Sequence, residues 1–150
     1  MLAVAFDDIY RGYVLVDTSA LIALIDKHDQ NHSCSTQALT ALTNDVNVRL
    51  FVCNLTIYET YTRLRYDRDW VTAKEVWNTI AQVIKARRIE FVSGVFEEKT
   101  RDILKTYRFQ KLSFHDAGCA ALMLENKIGR IFSFDSDFDI VGFERFPSLS

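Results

Sequence analysis

The apolar positions along this chain change their period several times, and each change marks an element. Tyr13-Val-Leu-Val16 is a continuous apolar run that meets Asp17, and beyond Thr18-Ser19 the stretch Ala20-Leu-Ile-Ala-Leu-Ile25 takes up helical spacing at once. A buried strand turning sharply into a helix is predicted, with Asp17 at the strand's carboxyl end. Asn31 to about Asn44, with Leu39 and Leu42 in a polar background, reads as a second helix, and Leu50-Phe-Val-Cys53 as a second strand. Ile57, Tyr58, Tyr61 and Leu64 then recur at helical spacing between Thr56 and about Arg68, as do Val76, Ile80, Val83 and Ile84 after a break near Asp69. Ile89-Glu-Phe-Val92 is the third strand, and Phe96, Thr100, Ile103, Leu104 and Tyr107 mark one face of a fifth helix. A helix opened by Asp116 and running to about Lys127 is expected to stop at Gly129, because glycine tolerates positive φ. Ile131-Phe-Ser-Phe134 is the fourth strand, with Asp135 at its end, and Phe143 to Phe146 adds a fifth.

Strands alternating with helices predict an α/β protein whose parallel sheet of four to five strands lies between two helical layers. In such sheets ligands bind outside the carboxyl ends of the strands, so Asp17 stands at the functional edge. With 150 residues, one proline and five glycines, no linker divides the chain, and residues 13–150 are read as one domain behind an N-terminal extension of residues 1–12. A net charge of −2 and a pI near 5.9 give no global attraction to nucleic acid, so such a partner must be held by a local basic patch or through metal ions. Cys34, Cys53 and Cys119 are odd in number and widely spaced, as expected of reduced core thiols. No membrane-length apolar run occurs, and Asp7 and Asp8 fall where a signal peptide needs a basic start, so a cytoplasmic protein is expected.

Asp17 and Asp135 each follow a strand, while Glu59 and Asp116 lie near the starts of helices bordering the same edge. Each has a plainer reading. Asp116 could be a helix N-cap, Glu59 a solvated helix edge, and Asp135 a turn acid in Asp135-Ser-Asp137-Phe-Asp139. Together they say more, because two like charges about 4 Å apart repel by about 4 kcal/mol at an effective dielectric near 20, so a cluster needs a cation or bound protons. Oxygen-only ligands without a histidine or cysteine spacing suit Mg²⁺ or Mn²⁺ better than Zn²⁺.

The pattern resembles the PIN-domain ribonucleases, and within them the VapC-type toxins of toxin–antitoxin pairs. The matching pieces are Val16-Asp17-Thr18-Ser19-Ala-Leu21, Glu59 within Ile57-Tyr-Glu59-Thr-Tyr-Thr-Arg-Leu, Asp116 within Phe114-His-Asp116-Ala-Gly-Cys-Ala-Ala, and Ser133-Phe-Asp135-Ser-Asp137-Phe138. The resemblance implies a three-layer α/β/α sandwich of strand order 3-2-1-4-5 and an acidic pocket at the carboxyl edge. It implies Mg²⁺- or Mn²⁺-dependent hydrolysis of single-stranded or loop RNA, an antitoxin partner and a homodimer. Carried over by position, Asp17, Glu59, Asp116 and Asp135 are the catalytic acids. Asp17, Asp116, Asp135 and the auxiliary Asp137 are the metal ligands, and Ser19 and Ser133 brace them. Serine at 133 departs from the more usual threonine, and the N-terminal extension is a further departure.

Other readings are weaker. An EF-hand over Asp135-Ser-Asp137-Phe-Asp139 would need glycine at Ile140 and glutamate at Phe146. His28, His32 and His115 are too scattered for zinc, though His115 beside Asp116 is placed to touch substrate. Arg63 and Arg65, with Lys85-Ala-Arg87-Arg88 and the nearby Trp70 and Trp77, form a candidate RNA-binding patch; solvated helix faces, with the tryptophans in the core or at a subunit contact, are the alternative. Two functions stand beside the toxin reading: an RNA-processing nuclease without an antitoxin, and a non-catalytic module that binds RNA or protein.

Overall fold

The computed structural model describes residues 10–87, 89–92 and 97–148. Five strands, β1 (Tyr10–Val16), β2 (Arg49–Cys53), β3 (Glu90–Val92), β4 (Ile128–Phe132) and β5 (Glu144–Phe146), form one sheet in the order β3-β2-β1-β4-β5. All neighbouring pairs are parallel. The expected class and strand order are both found.

Successive strand residues point to opposite faces, and the core divides accordingly. Val14, Val16, Leu50, Val52 and Phe132 pack on one face with Ala20 and Leu21 of α1 (Thr18–Ile25) and with Ala38, Leu39 and Leu42 of α2 (His32–Asn44). Leu15, Phe51, Cys53 and Ile131 face the other way, onto Ile103 of α6 (Glu97–Thr106), residues 117 and 119–123 of α7 (Phe114–Glu125), and Phe138 and Val141 of α8 (Asp137–Val141). Helix, sheet and helix make the three layers. A smaller cluster of Leu64, Ala73 and Val76 joins α3 (Asn54–Asp67), α4 (Trp70–Ala73) and α5 (Glu75–Arg87), with Ile22 and Ile25 of α1 packed against it.

Several boundaries differ from expectation for local reasons. β1 begins at Tyr10, so residues 10–12 belong to the sheet, and the remainder of the expected extension lies outside the described residues. Gly12 is required there, since a Cβ would stand 2.6 Å from the carbonyl oxygen of Asn47. α7 starts with Ser113 as its N-cap, whose hydroxyl accepts the Asp116 N–H at 3.0 Å, so Asp116 neither opens nor caps the helix. It ends at Glu125, and the left-handed turn falls on Lys127 (φ 56°), which leaves Gly129 inside β4. Ser133 is therefore the first residue beyond β4, and Asp135 lies in the following loop. The stretch Asp135-Ser-Asp137-Phe-Asp139, for which a turn was one reading, continues into α8, which stops at Gly142 in the left-handed region (φ 92°). Phe96, Arg88 and the side chains of Val83, Ile84, Lys85 and Arg87 lie outside what is described.

An ion pair ties the end of α1 to the end of α3. Asp26, the C-cap of α1, is buried and accepts hydrogen bonds from the His28 N–H at 2.9 Å and from Arg68 Nε, at the C-cap of α3, at 2.6 Å. Burial pushes this carboxyl upward, but the His28 amide and the Arg68 guanidinium outweigh it and hold the pKa below its ordinary value. A folded-state pKa below the unfolded one gives stability that is complete above the ordinary carboxylate range and lost as pH falls through the folded value. Because the guanidinium is partly exposed, Asp26→Asn is expected to cost about 1 kcal/mol at pH 7. In urea unfolding that difference should shrink on acidification below about pH 4; a gap between the proteins that persists in acid would contradict the account.

Candidate active site

β1 is flanked by β2 on one side and β4 on the other, so the chain leaves the sheet in opposite directions between β1 and β4, where a crevice opens. Asp17 terminates β1 there. Its N–H donates to the Phe132 carbonyl at 2.9 Å, extending the β1–β4 ladder by one bond, and its residue surface is only 3% exposed. Asp17 Oδ2 accepts from Ser133 Oγ at 2.7 Å and from Ser19 Oγ at 3.1 Å. Those two hydroxyls touch each other at 3.1 Å and accept the N–H groups of Asp135 (onto Ser133, 3.0 Å) and Phe134 (onto Ser19, 2.9 Å). The first turn of α1 and the loop after β4 are thus locked around one carboxylate. Burial raises the Asp17 pKa, and the Ser133 hydrogen bond and the charge of His115 offset this only in part.

His115, in the first turn of α7, occupies the middle of the site. Its Nδ1 lies 2.7 Å from Glu59 Oε2 and 3.4 Å from Asp116 Oδ1, and its Nε2 is 3.4 to 3.5 Å from Thr18 Oγ1, Thr56 Oγ1 and Cys119 Sγ. Burial opposes its charge. The hydrogen bonds to Asp116 and Glu59 and the fields of Glu59 and Asp17 outweigh that penalty and push its pKa up to about 10. Glu59, in the second turn of α3, also accepts from Thr18 Oγ1 at 3.3 Å. Burial alone would raise its pKa, but the hydrogen bond and charge of His115, with the charge of Arg63, bring it below the ordinary glutamate value.

Beside this pair, Asp116, Asp135 and Asp137 each offer a carboxylate oxygen, all within 4.8 Å of one another. The Asp137 N–H donates to Asp135 Oδ1 at 2.9 Å, which orients the loop acid against the start of α8. Asp137 is raised by burial and by the charges of Asp135 and Asp116. The single imidazolium is shared between Glu59 at 2.7 Å and Asp116 at 3.4 Å, and no ion pair among the described residues reaches Asp135 or Asp137. Three hard oxygen donors in reach of one another fit a hexacoordinate divalent ion such as Mg²⁺ or Mn²⁺. Asp17, His115 and Cys119 also offer ligand atoms within 4.8 Å. That mixed set is the poorer centre, because the Cys119 hydrogen bond with Cys53 and its complete burial hold its pKa well up, whereas a metal needs the thiolate.

The four expected acids, Asp137 and both serines therefore meet in one connected site. His115 was the residue underweighted by sequence reasoning; its signal was its position one residue before an acid near a helix start. Arg63 and Arg65 lie on the exposed side of α3, Arg63 near enough to act on Glu59. Trp70 and Trp77 are each 50% exposed and, with Tyr61, form a ring cluster outside the site. Cys53 and Cys119 are buried free thiols, and Cys34 is half-buried. His32 is half-buried at the start of α2, with Nδ1 2.6 Å from the Ala23 carbonyl oxygen.

A five-stranded parallel sheet with clustered carboxylates at its carboxyl edge defines an α/β protein with a candidate divalent-cation centre. The sequence matches the PIN domain over residues 14–144, and the chain belongs to that family. Among solved structures it is similar to VapC20 of Mycobacterium tuberculosis, a sarcin-ricin loop cleaving toxin, with a TM-score of 0.70 and 21% identity over 87% of this chain and 95% of that one. No curated protein sequence matches it significantly. Among the described residues no helix is long and apolar enough to cross a membrane.

Ser133→Ala leaves buried Asp17 without its shortest hydrogen bond. It is expected to destabilise the fold by about 1–2 kcal/mol in urea unfolding and to weaken Mn²⁺ binding about tenfold in isothermal titration. Unaltered stability and affinity would show that Ser133 is an ordinary loop-end hydroxyl.

Proposed function

We propose that this protein is a Mg²⁺- or Mn²⁺-dependent endoribonuclease that hydrolyses phosphodiester bonds in single-stranded or loop RNA, and that it is the VapC-type toxin of a toxin–antitoxin pair. The observation that carries the reading is the group Asp116, Asp135 and Asp137, with carboxylate oxygens within 4.8 Å beside buried Asp17 at the ligand-binding edge of a PIN fold. The likeness in fold to a toxin that cleaves the sarcin-ricin loop supports the substrate class. An antitoxin and a homodimer are proposed on the same family grounds, and a cytoplasmic location accords with them.

In this reading Asp116, Asp135 and Asp137 would hold the ion, and Asp17, fixed by Ser19 and Ser133, stands beside them in a separate group with His115 and Cys119. Bound there, a divalent ion would supply charge against the scissile phosphate and lower the pKa of a water for in-line attack. Glu59, restrained by His115 and Thr18, lines the approach and orients the incoming water. His115 keeps Glu59 and Asp116 from repelling each other out of position while substrate enters and leaves. Arg63 and Arg65 provide the local positive charge that the acidic chain lacks overall and contact the RNA backbone.

The direct test is cleavage of a labelled stem-loop RNA and a tRNA pool by the purified protein in Mg²⁺, Mn²⁺ or EDTA, with Asp116→Asn alongside. Cutting should require metal and fall about 100-fold or more in the variant; binding without cutting under every metal condition would overturn the enzyme in favour of a binding module. Reversing charge at Arg63 and Arg65 to Glu should weaken RNA binding and flatten its salt dependence by a slope of about 0.7 per lost phosphate contact. Unchanged affinity and slope would remove both arginines from the interface.

A further inference from the structure

Resting on the RNA-cutting reading, we propose that the cleft between α3 and α7 at the mouth of the acid site is a nucleobase subsite, in which an unpaired base next to the scissile phosphate stacks against Tyr58 and Phe114. The cleft holds about 270 Å³ and is lined by Leu55, Tyr58 and Glu59 from α3 and by Phe114, His115 and Gly118 from α7. Tyr58 is 64% exposed and Phe114 56% exposed. Single exposed rings need no explanation, but these two reach one cleft from two different helices. Each is also tied in sequence to a site acid: Tyr58 directly precedes Glu59, and Phe114 stands two residues before Asp116. At Gly118 a Cβ would lie 3.2 Å from Leu55 Cδ1, so the absence of a side chain lets α7 approach α3 closely there.

The walls divide by chemistry. Apolar rings and Leu55 make one part, while Glu59 and His115 belong to the acid centre itself, so a nucleotide whose base enters the cleft brings its phosphate toward the acids. Single-stranded RNA is read in this way, by splayed bases stacked on aromatic faces beside a charged track for the backbone. The track continues along α3. One and two turns beyond Tyr58, Thr62, Arg65 and Tyr66 line a second open cleft of about 400 Å³ together with Tyr61, which sets an arginine beside two tyrosine rings. An aromatic cleft at the acid centre that leads along α3 to a second cleft lined by tyrosines and an arginine suits a polyanion carrying flat bases better than it suits an apolar peptide.

The test measures fluorescence anisotropy of a labelled single-stranded RNA and of an abasic oligonucleotide of equal length and charge, with Mn²⁺ replaced by Ca²⁺ to hold cleavage back. Tyr58→Ala and Phe114→Ala should each lose about tenfold in affinity for the RNA, toward the lower end of what one base–aromatic stack supplies, and nothing for the abasic strand. Tyr58→Phe should bind like the parent, and Phe109→Ala, which removes a ring 84% exposed elsewhere, should do the same. Circular dichroism of every variant secures the fold. Equal losses on both oligonucleotides, or none on either, would overturn the subsite. If the parent still cuts RNA in that event, the nuclease reading stands without it; a parent that neither binds nor cuts RNA removes both. Variants that keep full RNA affinity but shift in sedimentation from dimer to monomer would give the cleft to a second copy of the chain.

Discussion

A carboxylate with almost no access to water, at the end of the central strand, sets the terms for the rest of the site. Asp17 is buried because β1 is buried, flanked on both sides in the sheet and covered on both faces. An acid in that position is tolerable only with donors aimed at it, and the nearest polypeptide able to provide them is the first turn of α1 and the exit from β4. Ser19 and Ser133 come from those two segments. Their hydroxyls also receive backbone N–H groups from the loop after β4, so the bonds that satisfy Asp17 also fix the path that carries Asp135 and Asp137. Position of one acid and position of the others follow from the same few contacts.

His115 settles a second difficulty. Glu59 and Asp116 approach from helices on opposite sides of the crevice and repel each other, and the imidazolium between them turns repulsion into two attractive contacts. Its Nε2 has Thr18, Thr56 and Cys119 as hydrogen-bond neighbours, and the nearby charge of Asp17 adds to that of the acids in holding the proton. The site thus has two halves: Glu59 with a cation built into the chain, and Asp116, Asp135 and Asp137, whose clustered oxygens form a candidate divalent-ion site. Asp116 belongs to both.

Much of this arrangement was legible in the sequence because it depends on local signals. The apolar run into Asp17 is a strand end wherever it occurs, and alternation of strands with helices leaves few topologies besides a parallel sheet. Ser113-x-x-Asp116 is a capping pattern, and assigning the cap to Ser113 would have freed Asp116 from the plainer reading at once. The turn at Lys127 was obscured because a non-glycine residue took the left-handed conformation while a glycine two residues on sat in a strand. The central place of His115 was marked in the sequence only by the acid beside it. Its other partners on α7 are local, but Glu59, Thr56 and Thr18 lie 56, 59 and 97 residues away, and no spacing along the chain encodes a meeting that the fold alone brings about.

The pairing of β1 with β4 joins the earliest described strand to one that begins more than a hundred residues later. While the chain is being made, β1 can pair only with β2, and its other edge, carrying Val14, Leu15 and Val16, stays open until residue 132 has been added. Closing so long a loop is slow, and an open apolar strand edge invites pairing with other chains. Asp17 has no Ser133, and the acids have no common centre, until that closure happens. An unfinished chain therefore lacks the assembled acid site and is adhesive, and its hazard during synthesis is aggregation.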